Sequence, residues 1–362
     1  MERVVTLKAN YLAECAGYEV YIVMTDAREK GPFFPLSPKV HLIQLDENFE
    51  ELWNQPLWRR ICLYLKHQRA YRRKLTQCLM ELRPDVTVST LRREINFLCD
   101  IPDGSKKVGE IHVNRLSFRN LSTEGSLPAK VIQKYWNAQL LRSLRRLDAF
   151  VVLTQRDKEA WGELTNTHVI PNPLAFYVDH PEVRSTKTAV AFGRYCPEKG
   201  FDLLIQTWKK VHQEHPDWKL HIYGDDSPEF VDYIKENGME DICLPHPFTN
   251  RVMEHLCEHE FLILSSRTEG FGMIIAEAMA CGRPVAAFDC PFGPREIIRN
   301  GEDGLLARAE DTDNLADKVC RLIENPSLRA QLGEQAHENI RRLHMEKIGS
   351  MWTNLFEELK RT

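Results

Sequence analysis

The chain has 362 residues, 43% hydrophobic and 28% charged, with a formal net charge of −4, which excludes an intrinsically disordered protein and leaves room for two ordinary cores. No apolar run approaches the roughly 20 residues of a bilayer span, and the first residues lack the basic-then-apolar layout of a secretory leader, so the expected compartment is the cytoplasm. Ten cysteines stand singly with no CxxC pair and read as reduced packing residues. Residues 1–180 carry 26 Lys and Arg against 21 Asp and Glu, whereas the rest carry 22 against 31, so the front half is the one to meet an anionic partner.

The chain opens on a helical pattern from about Glu2 to Cys15, a glycine at Gly17 and the strand-like run Tyr18–Met24. Short β-branched runs then alternate with longer helical patterns: KVHLIQL, PDVTVST, KKVGEIH and DAFVVLT in front, and TAVAFGR, KLHIYGD, DICLPHP, EFLILSS, PVAAFD and GLLAR behind. This alternation predicts an α/β protein with two parallel sheets flanked by helices. Three prolines in VIPNPLAFYVDHPEVRSTKTAV set a boundary between Asn172 and Lys187. The expected organisation is a front domain over 1–178, a rear domain over 179–344, and a last helix over 345–362 free to pack back on the front domain.

PLWRRICLYLKHQRAYRRKLTQCLM holds seven Lys and Arg, and no acid occurs between Glu51 and Glu81. Its apolar positions Trp58, Ile61, Leu65, Leu75 and Leu79 are read as one helical face, with Trp53, Tyr64 and Tyr71 nearby. Trp58, Arg59, Arg60, Lys66, Arg69, Arg72, Arg73 and Lys74 then form a membrane or acceptor patch, since a basic, aromatic-flanked helix suits an anionic leaflet or a lipid-linked pyrophosphate. A helix packed on its own sheet gives the same pattern. Nucleic acid fits poorly, because the chain is acidic overall and lacks a known nucleic-acid module.

In the rear half, AFGRYCPEKGFDLLIQTWKKV is a strand ending in Gly193-Arg194, a loop carrying Lys199-Gly200, and a helix. Arg194 and Lys199 place two cations over one sheet edge, a fit for a diphosphate. His255-Leu256-Cys257-Glu258-His259 matches the five-residue zinc-hydrolase pattern H-x-x-E-H, but without a third ligand it reads as surface histidines. FLILSSRTEGFGMIIAEAMACGRPVAAFD reads strand, glycine turn, helix, strand, and ligands of open parallel sheets bind at such turns. Gly270 and Gly272 allow close backbone approach, Met273 and Ile274 offer helix-start amides, and Glu269 and Glu277 can face one crevice. A carboxylate at Glu277 can accept two hydrogen bonds from a vicinal diol such as a ribose. A plain helix start with two solvated glutamates has the same spacing.

GRYCPEKG, EGFGMIIAEAMACGRPVAAFD and PFGPREIIRNGEDGLL, in this order, resemble the carboxy-terminal domain of the family 4 retaining glycosyltransferases of bacterial surface-polysaccharide type, with Glu269 and Glu277 as that family's Glu-x7-Glu. The likeness is strong over about 188–308 and extends more weakly over nearly the whole chain. It implies the GT-B fold: two Rossmann-like parallel-sheet domains facing a cleft. It implies that Arg194 and Lys199 neutralise the donor diphosphate, that Glu277 holds the ribose, and that Glu269, Gly270, Phe271, Gly272 and Met273 line the donor site. His112, in KKVGEIHVNR, matches the family's histidine near the donor sugar, so the implied catalytic set is Glu269, His112, Arg194 and Lys199. The implied reaction moves a hexose or N-acetylhexosamine from a nucleotide sugar, UDP-linked by expectation, to a lipid-linked or growing surface glycan such as capsule, lipopolysaccharide or exopolysaccharide. No cofactor or metal is expected, and the implied place is the cytoplasm or, peripherally, the inner membrane leaflet. The rival readings are a sugar-nucleotide epimerase of the same fold and a non-catalytic accessory subunit.

Members of that family begin with a strand and a glycine-rich turn ahead of the first helix, whereas here Met1 falls where the turn should finish. The expectation is a front sheet lacking its first strand, with the backbone edges of both neighbours exposed, and a native chain longer by about 15 to 25 residues.

Overall fold

The computed structural model describes residues 1–25, 32–49, 52, 56–116, 118, 127–182, 185–225 and 227–361. Trp53 lies outside the described residues. The chain forms two compact units, residues 1–173 together with 345–362, and residues 174–344.

The first unit runs α1 (Glu2–Glu14), β1 (Val20–Met24), β2 (Val40–Gln44), α2 (Leu57–Leu82), β3 (Val86–Ser89), β4 (Lys106–Glu110), α3 (Leu127–Arg145), β5 (Ala149–Val152), α4 (Gln155–Ala160) and β6 (Thr167–Val169). Its strands form two separate parallel sheets, β1-β2 and β3-β4-β5-β6. Among the described strands β1 pairs only with β2 and β3 only with β4, so each keeps one edge without a ladder. The sequence reading missed β6, whose three residues are too short to show a period. β5 is buried along its whole length, as a central parallel strand should be. The Thr154 hydroxyl caps α4 by accepting the Asp157 amide at 3.1 Å.

Inside this unit the α1 residue Lys8 is buried, which an aliphatic helix face alone does not explain. Its ammonium pairs with Glu110 at the end of β4 and lies 4.0 Å from the ring centre of Trp352. Burial would raise the Glu110 carboxyl, but Lys8 and then His112 hold it at about 2, so the carboxylate stays ionised.

The second unit runs β7 (Thr188–Phe192), α5 (Phe201–Glu214), β8 (Lys219–Tyr223), α6 (Pro228–Glu236), β9 (Cys243–His246), α7 (Val252–Glu258), β10 (Phe261–Leu264), α8 (Met273–Ala280), β11 (Val285–Phe288), α9 (Pro294–Ile297), β12 (Leu305–Ala307), α10 (Thr312–Glu324) and α11 (Pro326–Asn339). The final helix α12 (Met345–Arg361) belongs to the first unit. The six strands are all parallel, in the order β12-β11-β10-β7-β8-β9. This is the doubly wound order, with its reversal between β7 and β10. On α5 the residues Leu204, Ile205, Trp208 and Val211 recur at helical spacing and are fully buried in one cluster with Leu220, Phe261 and Leu315. Rigid packing beneath the sheet fixes where its loops emerge.

Candidate active site

The two motif loops leave the second unit's sheet at its switch point. β7 and β10 are hydrogen-bonded neighbours, with Phe261 opposite Ala189 and Leu262 opposite Val190. Strand order runs away from this pair in opposite directions, so a crevice opens outside their carboxyl ends. Arg194 and Lys199 follow β7, whereas Glu269, Gly270 and Phe271 follow β10.

Contacts between the loops are direct. The Ser265 hydroxyl donates to the Lys199 carbonyl at 3.0 Å, and the Arg267 amide donates to the Glu198 carbonyl at 2.8 Å. The Arg267 guanidinium grips Asp202 with two bonds, of 2.8 and 2.7 Å, and reaches the Pro197 carbonyl at 2.9 Å. These bonds hold the Asp202 carboxyl below its usual range. Gly200 has φ +61° and its α-carbon lies against the Ser265 carbonyl, where any β-carbon would collide with the oxygen. The two loops are therefore one stitched surface, and the sequence reading, which had the cations and the glutamates, missed Ser265, Arg267 and Asp202 as the stitches and Ser266 as a partner of Glu269. Their signal was the polar run SSR directly after a buried strand.

Within that surface the Lys199 ammonium donates to Glu269 Oε1 at 2.7 Å, and the Ser266 hydroxyl donates to the same oxygen at 2.6 Å. Glu269 is buried, Lys199 is partly open, and Arg194 is exposed. Beside Glu269 the Cys290 thiol is pushed up to about 12 by burial and then by the glutamate's charge, so it stays protonated. α8 starts after Gly272, with Phe271 buried ahead of it and the amides of Met273 and Ile274 opening the helix. Glu277 stands in the second turn and is buried. Beyond Arg194, at the ends of β8 and β9, a pocket of about 90 Å³ is lined by Tyr195, Gly224, Asp225, Phe230 and His246.

Other residues singled out by sequence fall elsewhere. His112 lies in the first unit, two residues past β4, with Nε2 3.6 Å from Glu110 Oε1. The zinc pattern dissolves in the structure: α7 stops at Glu258, so His255 and His259 never share a helical face. Instead His259 Nδ1 meets Thr188 Oγ1 at 2.8 Å, and His255 Nδ1 meets the Tyr223 hydroxyl at 3.1 Å. Both join a ring stack that also holds His221 and His246, whose Nδ1 and Nε2 are 2.9 Å apart. Burial, then neighbouring histidines, depress His221 to about 4 and His259 to about 3.

The helix α2 keeps the one apolar face read from its sequence, but that face is buried along only part of its length. Leu75 and Leu79 are buried with Tyr71, whereas Trp58, Ile61 and Leu65 are exposed. Eighteen residues at about 100° each, five whole turns, separate Ile61 from Leu79, so these positions do share a face, of which only the carboxyl half meets the core. Lys74 leaves the patch, because it pairs with Glu47 at 2.8 Å and donates to the Leu45 carbonyl at 2.7 Å.

A doubly wound parallel sheet in one unit and parallel sheets in the other are the make-up of the GT-B class of fold. Residues 186–325 match the family described as glycosyl transferases group 1, and the chain has the GT-B fold. It is 36% identical over 230 residues to an exopolysaccharide phosphotransferase of Streptomyces coelicolor, covering 61% of this chain and 24% of that protein. It is 26% identical over 309 residues to the poly(ribitol-phosphate) alpha-N-acetylglucosaminyltransferase of Staphylococcus aureus, covering 81% of this chain and 60% of that one. The chain thus spans less than two thirds of either relative. The crystal structure of Anabaena HepE in complex with UDP-glucose superposes with a TM-score of 0.71 at 17% identity, over 99% of this chain and 95% of that one, and has the same fold. Among the described residues no helix is long and apolar enough to cross a membrane.

Proposed function

We propose that the chain is a retaining glycosyltransferase that moves a hexose or N-acetylhexosamine from a UDP-sugar to a lipid-linked or growing surface glycan, at the inner face of a membrane. The observation that carries this reading is the stitched surface at the β7/β10 switch point, where Lys199 and Glu269 form an ion pair with Arg194 and the start of α8 at the same sheet edge. UDP as the nucleotide is supported by the UDP-glucose held by the HepE neighbour, and the acetylated sugar by the Staphylococcus relative's activity.

Breaking a sugar's bond to UDP develops positive charge at the anomeric carbon and negative charge on the leaving diphosphate. Fixed cations and helix-start amides aimed at the diphosphate stabilise that second charge more as it grows, which is catalysis rather than mere binding. Arg194 and Lys199 carry this role, with the amides of Met273 and Ile274. Glu269, oriented by Lys199 and Ser266, faces the donor sugar. Glu277 takes the ribose hydroxyls, and the pocket by Tyr195 and His246 suits the base. His112 is the first unit's candidate for the donor-sugar side. The chemistry asks for no covalent nucleophile: the leaving phosphate can take the acceptor's proton as the acceptor attacks from the same face.

The test is UDP release from a panel of nucleotide sugars, measured with and without glycan acceptors. Release that needs an acceptor supports transfer, release without one indicates an epimerase or hydrolase, and no release from any donor would leave an accessory subunit.

A further inference from the structure

The helix α2 is two helices in function. Its carboxyl half is a core element: Tyr71, Leu75 and Leu79 are buried beside Phe49 and Phe97. Its amino half is not. Trp58 is 70% exposed, Ile61 53% and Leu65 45%, and at spacings of three and four residues they form one stripe along about two turns. Three large apolar side chains in a row on one exposed stripe differ from the single apolar residues scattered over ordinary surfaces.

Charge says what covers it. Arg59, Arg60, Lys66, Arg69, Arg72 and Arg73 are all exposed around the stripe, and the segment from 56 to 80 contains no acid. Among the described residues only Arg72 of this set reaches a carboxylate, Asp100, at 3.5 Å. A protein partner or a second copy of this chain would have to bury these cations against a matching acidic face; an anionic bilayer offers phosphates at its surface and hydrocarbon just beneath, which is the layering of this half-helix. Trp58 suits the boundary, with an apolar body and one N–H for the headgroup layer.

We propose that the amino half of α2 is a membrane wedge, inserting Trp58, Ile61 and Leu65 into an anionic phospholipid leaflet while the surrounding arginines and lysine hold lipid phosphates. This rests on the proposed membrane placement of the enzyme and assigns it to particular atoms. The wedge lies flat, because its stripe is only two turns long and its carboxyl half is fixed in the core. It needs neither donor nor acceptor, so it is separable from glycosyl transfer.

The experiment is flotation of the full chain with phosphatidylcholine vesicles, with and without phosphatidylglycerol, at low and moderate salt. The expected result is binding only to the phosphatidylglycerol vesicles, weakened at least about tenfold in the triple variant Trp58→Ser, Ile61→Ser, Leu65→Ser and lost with Arg59→Glu plus Arg69→Glu. Unchanged UDP affinity and circular dichroism verify that both variants are folded. Absence of flotation, or flotation indifferent to the triple variant, overturns the wedge. So does dimerisation of the full chain that the triple variant abolishes, or tighter binding to RNA than to vesicles. Because vesicle binding is read without nucleotide, loss of UDP-sugar turnover with intact flotation would overturn the transfer reading alone.

Discussion

The Lys199 ammonium and the Glu269 carboxylate, 70 residues apart, meet at 2.7 Å across the switch point of the second unit's sheet. Each neutralises a charge that burial would otherwise penalise, and the pair fixes both side chains before any ligand arrives. At the proposed donor site an incoming diphosphate has to share Lys199 with Glu269, whereas the exposed Arg194 is available at once. Lys199→Ala should therefore lower kcat by roughly 10²-fold or more, as removal of one transition-state donor does, and leave Glu269 buried without its cation. Arg194→Ala should cut turnover with almost no change in melting temperature, because an exposed side chain beyond the strand end holds nothing together. Steady-state UDP release with saturating donor and calorimetric melting check both.

Glu277 presents a binding question. A carboxylate holding two ribose hydroxyls contributes charged hydrogen bonds, and losing them should weaken UDP about 10- to 100-fold. Since Glu277 is also buried, its variant mixes stability with affinity. Comparing UDP with 2′-deoxy-UDP on the unmodified protein avoids this. Calorimetry should give weaker binding of the deoxy form, and Glu277→Gln should erase most of that difference; equal affinities would remove Glu277 from the ribose.

Gly293 bears on Glu269 from the far side. It has φ +82°, and a β-carbon there would come within 2.7 Å of the Phe271 carbonyl oxygen and 2.9 Å of Glu269 Cβ. Gly293→Ala must therefore strain its own backbone and push the glutamate loop together. A loss of about 1–3 kcal/mol in unfolding free energy is expected, with a further drop in kcat that an added stabilising background does not restore. Denaturant melts and turnover on one preparation separate the two effects.

The sheet edge that carries the candidate site was legible in sequence because its signals are local: each loop follows a buried strand and precedes a helix, and Gly-Arg and Glu-Gly-Phe-Gly sit within a few residues of the strand ends. Which partners those residues choose was not. The bond between Lys199 and Glu269 and the grip of Arg267 on Asp202 join loops 65 to 70 residues apart, and they depend on β7 and β10 being neighbours, a fact of strand order that no periodicity carries. The same limit applies to α2. An apolar position on a helix says that a face exists, but whether Trp58 or Leu75 meets the core depends on where the sheet ends. His255 and His259 fail as a ligand pair for a smaller reason, the termination of α7 one residue too early. Lys8 was invisible as a buried charge because its partner Glu110 lies over a hundred residues downstream.

The histidine stack of the second unit makes its stability depend on pH. His259 is buried and bonded to Thr188, and burial followed by the fields of His221, His255, His246 and Arg283 holds its pKa at about 3 against an ordinary 6.5. The folded ring is therefore neutral where the unfolded one takes a proton. Above pH 6.5 neither state is protonated and the full stability is present; as pH falls below 6.5 the unfolded state gains protons alone, and stability declines until the folded ring titrates near 3. From His259 this amounts to roughly 2 kcal/mol by about pH 5. His221, depressed to about 4 and partly exposed, adds a smaller share in the same direction, while Glu258, bonded to His255 at 2.9 Å, acts against it. Carboxylates such as Glu110, held at about 2, keep their contribution throughout this window and do not mimic the effect. Scanning calorimetry between pH 7.5 and 5 should show the melting temperature falling, and His259→Asn should flatten the slope even though it lowers stability at neutral pH; a variant with the same slope as the unmodified protein would mean that the proton is taken up elsewhere.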